Sequence, residues 1–499
     1  MTQLAAAAPE VDSLDQARGV ISALHGELQQ ALWQVKQLKK ELYGPSSERQ
    51  AQDNLSKEQI LFSLFPAPAE APATAEVILP DAEPSAPARV RRQPAARVLE
   101  TVTERLEPQE KVCAHCGKNK CEIGCEKSER FEYVPAKIVR HEILRPKLAC
   151  PCAQSGVSIA PLPPSIVAQG QPGPALVAHV LLTKFMDHVP LHRQQQQFAR
   201  LGVNFPKSTL GDWVEKGASW LQPIVREMKR ELLKGDYAQV DETPVRVQDP
   251  DVVGKCATGW LWVLSRPGSD VVFEFHPGRG KEFAQELLGD FKGYLQRDGY
   301  GVYGSMAKDD AQLIPVGCWA HARRKFIDAA DEPGQESQIV IEELRKLYLI
   351  ERHARDKSFG PQERKALRQE MALPILSALR PRLEAMKEKS LPKSPLGKAA
   401  RYCLNEWESL NRYLEEGRLE IDNNLTENAI RPSAVGKKNW LFIGHPQAGW
   451  RSAVIYSIIV SCRRRGIEPW EYLKDVFTRL PAMKQSELTS ILPANWKPL

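Results

Sequence analysis

The sequence predicts a multidomain α+β protein, on three observations. At 499 residues the chain is too long for one core. Its middle alternates short apolar strands with helical stretches, while the flanks read as helices, a linker and a cysteine-rich unit. Three carboxylates occupy distinct local settings. Asp241 lies in Tyr237-Ala-Gln-Val-Asp-Glu-Thr, Asp298 ends Gly293-Tyr-Leu-Gln-Arg-Asp, and Glu427 lies in Asp422-Asn-Asn-Leu-Thr-Glu-Asn. The first two follow apolar strands and the third sits on a late helix. Alone, each acid reads as a turn residue or a helix cap, and Asp298-Gly299 is a turn signal. Together and in order, they read as oxygen ligands for hard divalent cations.

Composition narrows the class. Hydrophobic residues make up 42% and charged residues 26%, the balance of a soluble globular protein. No apolar run reaches the roughly 18 residues of a membrane span. The start, Met1-Thr-Gln-Leu-Ala-Ala-Ala-Ala-Pro, lacks the basic and apolar parts of a signal peptide. A cytoplasmic protein with no membrane partner is therefore expected. The net charge of +6 is modest, but its placement is uneven: Arg89, Arg91, Arg92 and Arg97; Arg323, Arg324 and Lys325; Arg463, Arg464 and Arg465. Such runs are often only solvated faces; beside a metal-site pattern they suit a polyanion.

The N-terminal segment, 10–43, carries a heptad pattern. Leu14, Ala17, Ile21, Leu24, Leu28, Ala31, Val35, Leu38 and Leu42 alternate by three and four residues, which predicts a coiled-coil helix. A single amphipathic helix packed on its own chain is the other reading. Gly44 and Pro45 stop it. Residues 44–98 are rich in Ala and Pro and read as a linker.

Residues 99–160 hold six of the ten cysteines, a density that favours structural Zn²⁺ over disulfides. Cys113-Ala-His-Cys116 is a knuckle that aims two thiolates at one tetrahedral ion. Cys150-Pro-Cys152 is the second pair, with a hairpin expected over Phe131–Leu148. Cys121, Cys125, His115 and His141 are further candidates, so a zinc-ribbon-like unit is expected without a settled ligand set.

Residues 165–235 are helical. Leu191–Leu201, a turn at Gly202, and a second helix with Ser208 as N-cap and Leu210 and Trp213 inward suggest a helix-turn-helix. Arg193 and Lys207 are its candidate DNA contacts. Helical hairpins that never meet DNA share this pattern.

From Asp236 strands take over. Tyr237–Val240 leads to Asp241, Gly259–Ser265 and Asp270–Phe275 flank a turn at Arg266-Pro267-Gly268, a helix covers 281–291, and Tyr294–Arg297 delivers Asp298. Leu313–Trp319 is a fifth strand. Three antiparallel strands, a helix and two more strands is the ribonuclease-H-like order. The domain is expected over 236–445, with a helical insertion at about 333–420 made of Ile339–Arg355, Gln362–Lys389 (kinked at Pro374 and Pro381) and Gly397–Glu416. That insertion accounts for Asp298 and Glu427 lying more than twice as far apart in sequence as Asp241 and Asp298. Residues 446–499 form a C-terminal helical segment. In such a domain the three acids hold two ions, Mg²⁺ or Mn²⁺, which serve an attacking and a leaving oxygen.

Taken together, these residues resemble the transposases of the insertion sequence 66 family. The matching pieces run in the family's order over nearly the whole chain: "YGPSSER", "EYVP", "RPKLAC", "HVPLHRQQQQFARLGV", "DETPVRV", "RDGYGVY", "GCWAHARRKF", "DNNLTENAIRP", "GKKNWLF" and "GIEPWEYL". Two departures are present: the cysteine unit ends in CxC, and "YGPSSER" lacks a basic residue of the family pattern. The resemblance implies a DDE transposase with Asp241, Asp298 and Glu427 as its acidic triad, binding the terminal inverted repeats and joining element ends to target DNA. It also implies a bacterial, nucleoid-associated protein, a dimer or larger synaptic assembly, and accessory proteins of the same element. Arg324, Lys437 and Lys438 are the candidate DNA contacts of the catalytic domain, with His321 and Trp440 either structural or at the DNA. The principal rival is a DNA-binding regulator whose nuclease-like domain is dead; it shares the zinc and helical units but has no need of three acids.

Overall fold

A computed structural model describes residues 137–148, 158–167, 172–252, 254–331 and 334–498. The segments expected as coiled coil (10–43) and linker (44–98) lie outside these residues, as do Cys113, Cys116, Cys121, Cys125, Cys150, Cys152 and His115. The described residues fall in two compact units, the smaller drawing on 67–160 and 197–204 and the larger on 161–196 and 205–499.

In the smaller unit, β1 (Lys147–Leu148) and β2 (Ser158–Ile159) pair antiparallel, Lys147 opposite Ile159. The Arg145 guanidinium donates to the Ala160 carbonyl at 3.0 Å. Leu148 pairs with Ser158 of the chain after it, and the start of the hairpin expected over 131–148 lies outside the described residues.

The larger unit is a mixed α+β assembly. It opens with α1 (Pro174–Phe185), where Pro174 pre-sets the first-turn φ. Next come α2 (Leu191–Arg200), of which residues 191–196 belong to this unit, and α3 (Lys207–Leu233); Gly202, at φ +83°, belongs to the smaller unit. Leu210, Trp213, Val214, Gly217, Leu221, Ile224, Val225, Met228 and Leu232 make one buried stripe along α3 at helical spacing. Ser208 is not the N-cap: the helix begins at Lys207 behind Pro206, because the extended Pro206 backbone already turns the chain into the helix.

The sheet has five strands: β3 (Tyr237–Val247), β4 (Ala257–Ser265), β5 (Val271–His276), β6 (Gly293–Gln296) and β7 (Leu313–Val316), in spatial order β5-β4-β3-β6-β7. The first three form an antiparallel meander, turning at Gly268 (φ +72°) between β4 and β5. β6 and β7 add in parallel, which requires crossovers; α4 (Lys281–Leu288) and α5 (Gly301–Asp309) supply them. Gly293 starts β6 at φ +120°, where a Cβ would lie 2.3 Å from the Asp236 carbonyl.

Two strand boundaries differ from expectation. β3 runs on through Val247, since β4 pairs with it as far as Val247 opposite Ala257, so Asp241 is mid-strand. The fifth strand stops at Val316, and Trp319 begins α6 (Trp319–Asp328). The Gly317 N–H is diverted to the Ser409 carbonyl at 2.8 Å, and a Cβ on Gly317 would lie 2.9 Å from the Leu410 backbone.

The chain between α6 and the Glu427 helix is helical: α7 (Glu336–Asp356), α8 (Pro361–Leu367), α9 (Leu373–Lys389), α10 (Pro395–Asn405) and α11 (Trp407–Asn411). A π turn, Arg368–Ala372, joins α8 to α9 just before Pro374, whose missing N–H and ring would break a regular helix there. α9 continues through Pro381. Val340, Leu344, Leu347, Leu376, Leu379 and Leu383 form its core with Trp319 and Phe326 of α6. Within that core Arg368 and Glu351, each 1% exposed, form a bidentate pair (2.6 and 2.9 Å). The remaining Arg368 donors reach the carbonyls of Tyr413, Glu416 and Leu419.

α12 (Asn424–Trp440), α13 (Gly449–Arg464) and α14 (Pro469–Arg479) complete the unit. α13 is buried on nearly every side, packed against β5 and α3, while α14 packs on α1. β5 is a sheet edge, and α13 covers it: the Val271 N–H donates to Ser461 Oγ at 2.9 Å and the Phe273 N–H to Ser457 Oγ at 2.8 Å. Two serines one turn apart thus take the place of a sixth strand. The Arg463–Arg465 run is not a uniform basic face. Arg464 donates to the carbonyls of Arg266, Ser269 and Leu425, and burial pushes its pKa down to about 10. Arg465 pairs with Asp270. No helix among the described residues is long and apolar enough to cross a membrane.

Candidate active site

Strand alternation sends successive β3 side chains to opposite faces. Ala238, Val240 and Glu242 face the core that includes Leu287, Leu295 and Tyr303. Gln239 and Asp241 face α12. β6 pairs with β3 only as far as Gln239, so Asp241 stands just past the end of the parallel pairing. Asp298 stands two residues past the end of β6, on the same side of the sheet's end. Its Oδ1 accepts the Tyr300 N–H at 2.9 Å. Tyr402 of α10 closes over Gly299, where a Cβ would lie 2.3 Å from its ring. The insertion therefore reaches the chain next to Asp298.

Glu427 is in the first turn of α12, and a buried polar network sets that turn against the sheet. Thr426 Oγ1 donates to Gln239 Oε1 at 3.0 Å and lies 2.8 Å from Ser265 Oγ. Gln239 Nε2 donates to Gln296 Oε1 at 2.7 Å, and Gln296 Nε2 to the Glu420 carbonyl at 2.7 Å. The Asn423 side chain donates to the Val240 carbonyl at 2.9 Å. Gln239, Gln296, Asn423 and Thr426 are all fully buried. The network joins the strands before Asp241 and Asp298 to the residue before Glu427, so the three acids are placed by one structure.

Electrostatics report their proximity. Burial, then the charges of Glu427, Glu242 and Asp298, push the Asp241 carboxyl well above the usual range. Glu242 is also raised by burial and by Asp298, and Arg279 opposes that shift. The Arg279 guanidinium lies 2.7 Å from Glu242 and 3.9 Å from Asp298, stacked 3.7 Å from the Tyr300 ring centroid. On α12, Glu427 Oε2 accepts from Arg324 at 3.2 Å, and Oε1 is buried without a hydrogen-bond partner, 3.5 Å from His321 Nδ1. Burial lowers the His321 pKa. Crowded carboxylates with an orphaned buried oxygen fit a divalent cation, which would satisfy the oxygen and offset the repulsion.

The other expected contacts separate. Arg324 is engaged with Glu427, and Lys437 donates to the Pro244 carbonyl at 3.0 Å and Thr243 Oγ1 at 3.3 Å. Lys437 and Lys438 lie in the last turn of α12, the helix that carries Glu427. Lys438, Lys207 and Arg193 are exposed. Sequence reading passed over Glu242, Arg279, Gln239, Gln296 and Cys318. Glu242 was visible in "DET" only as a neighbour of Asp241; the polar Gln239 and Gln296 at inward strand positions were the available signal.

Known proteins match along the same stretch. A profile described as "Transposase IS66 family" matches residues 169–451, "IS66 C-terminal element" matches 457–494, and "zinc-finger binding domain of transposase IS66" matches 110–153. The last spans Cys113, Cys116, Cys150 and Cys152 and implies bound zinc; the first implies divalent-metal dependence. Three proteins of Sinorhizobium fredii are similar. Uncharacterized protein y4jD is 33% identical over 431 residues, covering 81% of this chain and 83% of its own. Uncharacterized protein y4qI is 33% identical over 427 residues (82% and 78%), and uncharacterized protein y4hP 29% over 493 residues (93% and 88%).

Proposed function

The chain belongs to the transposase IS66 family, and on that premise we propose that it is a DDE transposase with Asp241, Asp298 and Glu427 as its acidic triad. What supports this reading is that Asp241 lies just past the parallel pairing of β3 with β6, Asp298 two residues past β6 and Glu427 in the first turn of α12, with one Glu427 oxygen buried and unpartnered. The strand order β5-β4-β3-β6-β7, with an acid mid-way along β3, another after β6 and a third on α12, supports a ribonuclease-H-like core.

In this reading Asp241 and Asp298 bind Mg²⁺ or Mn²⁺, with Glu427 completing the set. When bound, the two ions activate the attacking oxygen and neutralise charge on the leaving one. Arg324 keeps Glu427 oriented, and the Gln239–Gln296–Thr426 network holds the acids in register. In the first reaction, water attacks the phosphodiester at an element end, the P–O3′ bond breaks, and a 3′-hydroxyl is freed. In the second, that hydroxyl attacks a target phosphodiester and displaces its 3′-oxygen. Both are phosphoryl transfers, in which positioning and charge neutralisation dominate.

The remaining parts follow the same reading. Cys113, Cys116, Cys150 and Cys152 hold zinc. The zinc unit and the helical pair α2–α3, with Arg193 and Lys207, bind the terminal inverted repeats. Lys438, exposed at the far end of α12, contacts DNA. The coiled-coil segment 10–43 pairs two copies, so that both ends are held in one assembly.

The test is cleavage and joining of a labelled element-end duplex with Mg²⁺. Wild type should cleave and join, while Asp241→Asn and Asp298→Asn bind the end and do neither. Wild-type joining by either variant would overturn the triad. End binding by the wild type without cleavage, with or without the element's other proteins, would favour a dead DNA-binding regulator.

A further inference from the structure

Cys318 precedes α6 and His321 lies in its first turn, while Glu427 approaches from the first turn of α12. One ligand atom of each lies within 4.8 Å of the others. Cys318 is fully buried and the Glu427 side chain is 10% exposed. His321 Nδ1 and Glu427 Oε1 are both buried without a hydrogen-bond partner. Such orphans are rare in folded proteins and point to something that binds them.

The donor set decides what that is. Sulfur, imidazole nitrogen and one carboxylate oxygen match Zn²⁺, which takes three protein ligands and leaves a fourth position open. Mg²⁺ takes oxygen and would not select the thiol or the imidazole. Outer contacts already orient two ligands. The Asn423 N–H donates to Cys318 Sγ at 3.2 Å, and Arg324 holds Glu427 Oε2, leaving Oε1 for the site.

We propose that Cys318, His321 and Glu427 form a three-ligand site for zinc, separate from the zinc finger. On binding, the Cys318 thiol gives its proton to solvent and its sulfur bonds the ion. The consequence for DNA chemistry rests on the role of Glu427 proposed above: zinc here withdraws Glu427 from Asp241 and Asp298 and blocks strand transfer.

The test uses the full-length chain with Co²⁺ as the probe metal, comparing wild type, Cys318→Ser and His321→Asn. Wild type should bind one more equivalent than either variant, and its difference spectrum against Cys318→Ser should carry a thiolate–Co²⁺ absorption band. Equal stoichiometry in all three folded proteins would overturn the site. If Cys318→Ser does not fold, His321→Asn must still lose that equivalent, and its retention would overturn the site. The readout needs no DNA. A missing band in a protein that joins DNA refutes the zinc site alone, and a band in a protein that still fails to cleave once that metal is chelated away and Mg²⁺ is supplied refutes the transposase reading alone.

Discussion

Arg279 and Glu242 form an ion pair in which the carboxylate is wholly buried and the guanidinium is one-third exposed, one residue along the strand from Asp241. Tyr303 donates to the second Glu242 oxygen at 3.1 Å. Removing the cation would strand a buried charge, the costly way to break such a pair. Arg279→Ala should therefore lower stability by about 3 kcal/mol. Adding Glu242→Gln should recover part of that loss. Urea unfolding of the single and double variants checks both; an Arg279→Ala midpoint equal to wild type would mean the pair contributes nothing.

Arg324 was expected at the DNA, and the structure pairs it with Glu427 at 3.2 Å. As an orienting residue it should act on the metal. Arg324→Ala is expected to weaken the apparent Mg²⁺ affinity for cleavage about tenfold, in line with losses from outer contacts of metal ligands. The salt dependence of end binding should stay unchanged. A shallower salt slope with an unaltered Mg²⁺ requirement would return Arg324 to a phosphate contact.

The serines of α13 make a prediction about stability alone. Ser457→Ala leaves the buried Phe273 N–H without an acceptor, and Ser461→Ala does the same to Val271. Each should cost about 1–3 kcal/mol, the range for an unsatisfied buried group. Hydrogen exchange should speed up at these two amides first. Wild-type exchange there would show that water or a shifted strand replaces the hydroxyls.

Asp422, just before the α12 N-terminus, gives a pH dependence. Burial raises its pKa from 3.8 to about 6, against hydrogen bonds from Asn424 and Tyr348. The folded chain thus binds this proton more tightly than the unfolded chain. Its contribution is complete below pH 3.8 and is lost as pH rises through about 6. Asp422→Asn should flatten the fall in stability over that window, read as the denaturant midpoint against pH. An unchanged slope would assign the dependence to other carboxyls.

Much of this molecule is legible along the chain. The apolar runs at 237–240, 259–265 and 313–316 mark strands because a half-buried sheet demands them. The acids stand out because "DETPVRV", "RDGYGVY" and "DNNLTENAIRP" place carboxylates beside turn and cap signals. Boundaries were less legible where a distant partner sets them. β3 runs past Asp241 because β4 pairs with it, and the last strand stops at Val316 because Ser409 takes the Gly317 N–H. Neither partner is local.

Local pattern determined which residue types stand near a strand end or a helix start, since alternation and capping act within a few positions. Tertiary structure alone decided what those residues face. Asp241 and Glu242 are neighbours in sequence, yet one turns toward Glu427 and the other toward Tyr303 and Arg279. Gln239, Gln296 and Thr426 read as three scattered polar residues until burial forces their hydrogen bonds onto one another. Cys318 and His321 meet Glu427 only because α12 returns to the sheet after the whole helical insertion. Buried polar atoms must be satisfied wherever their partners lie in the chain, and that requirement is met only in the folded state.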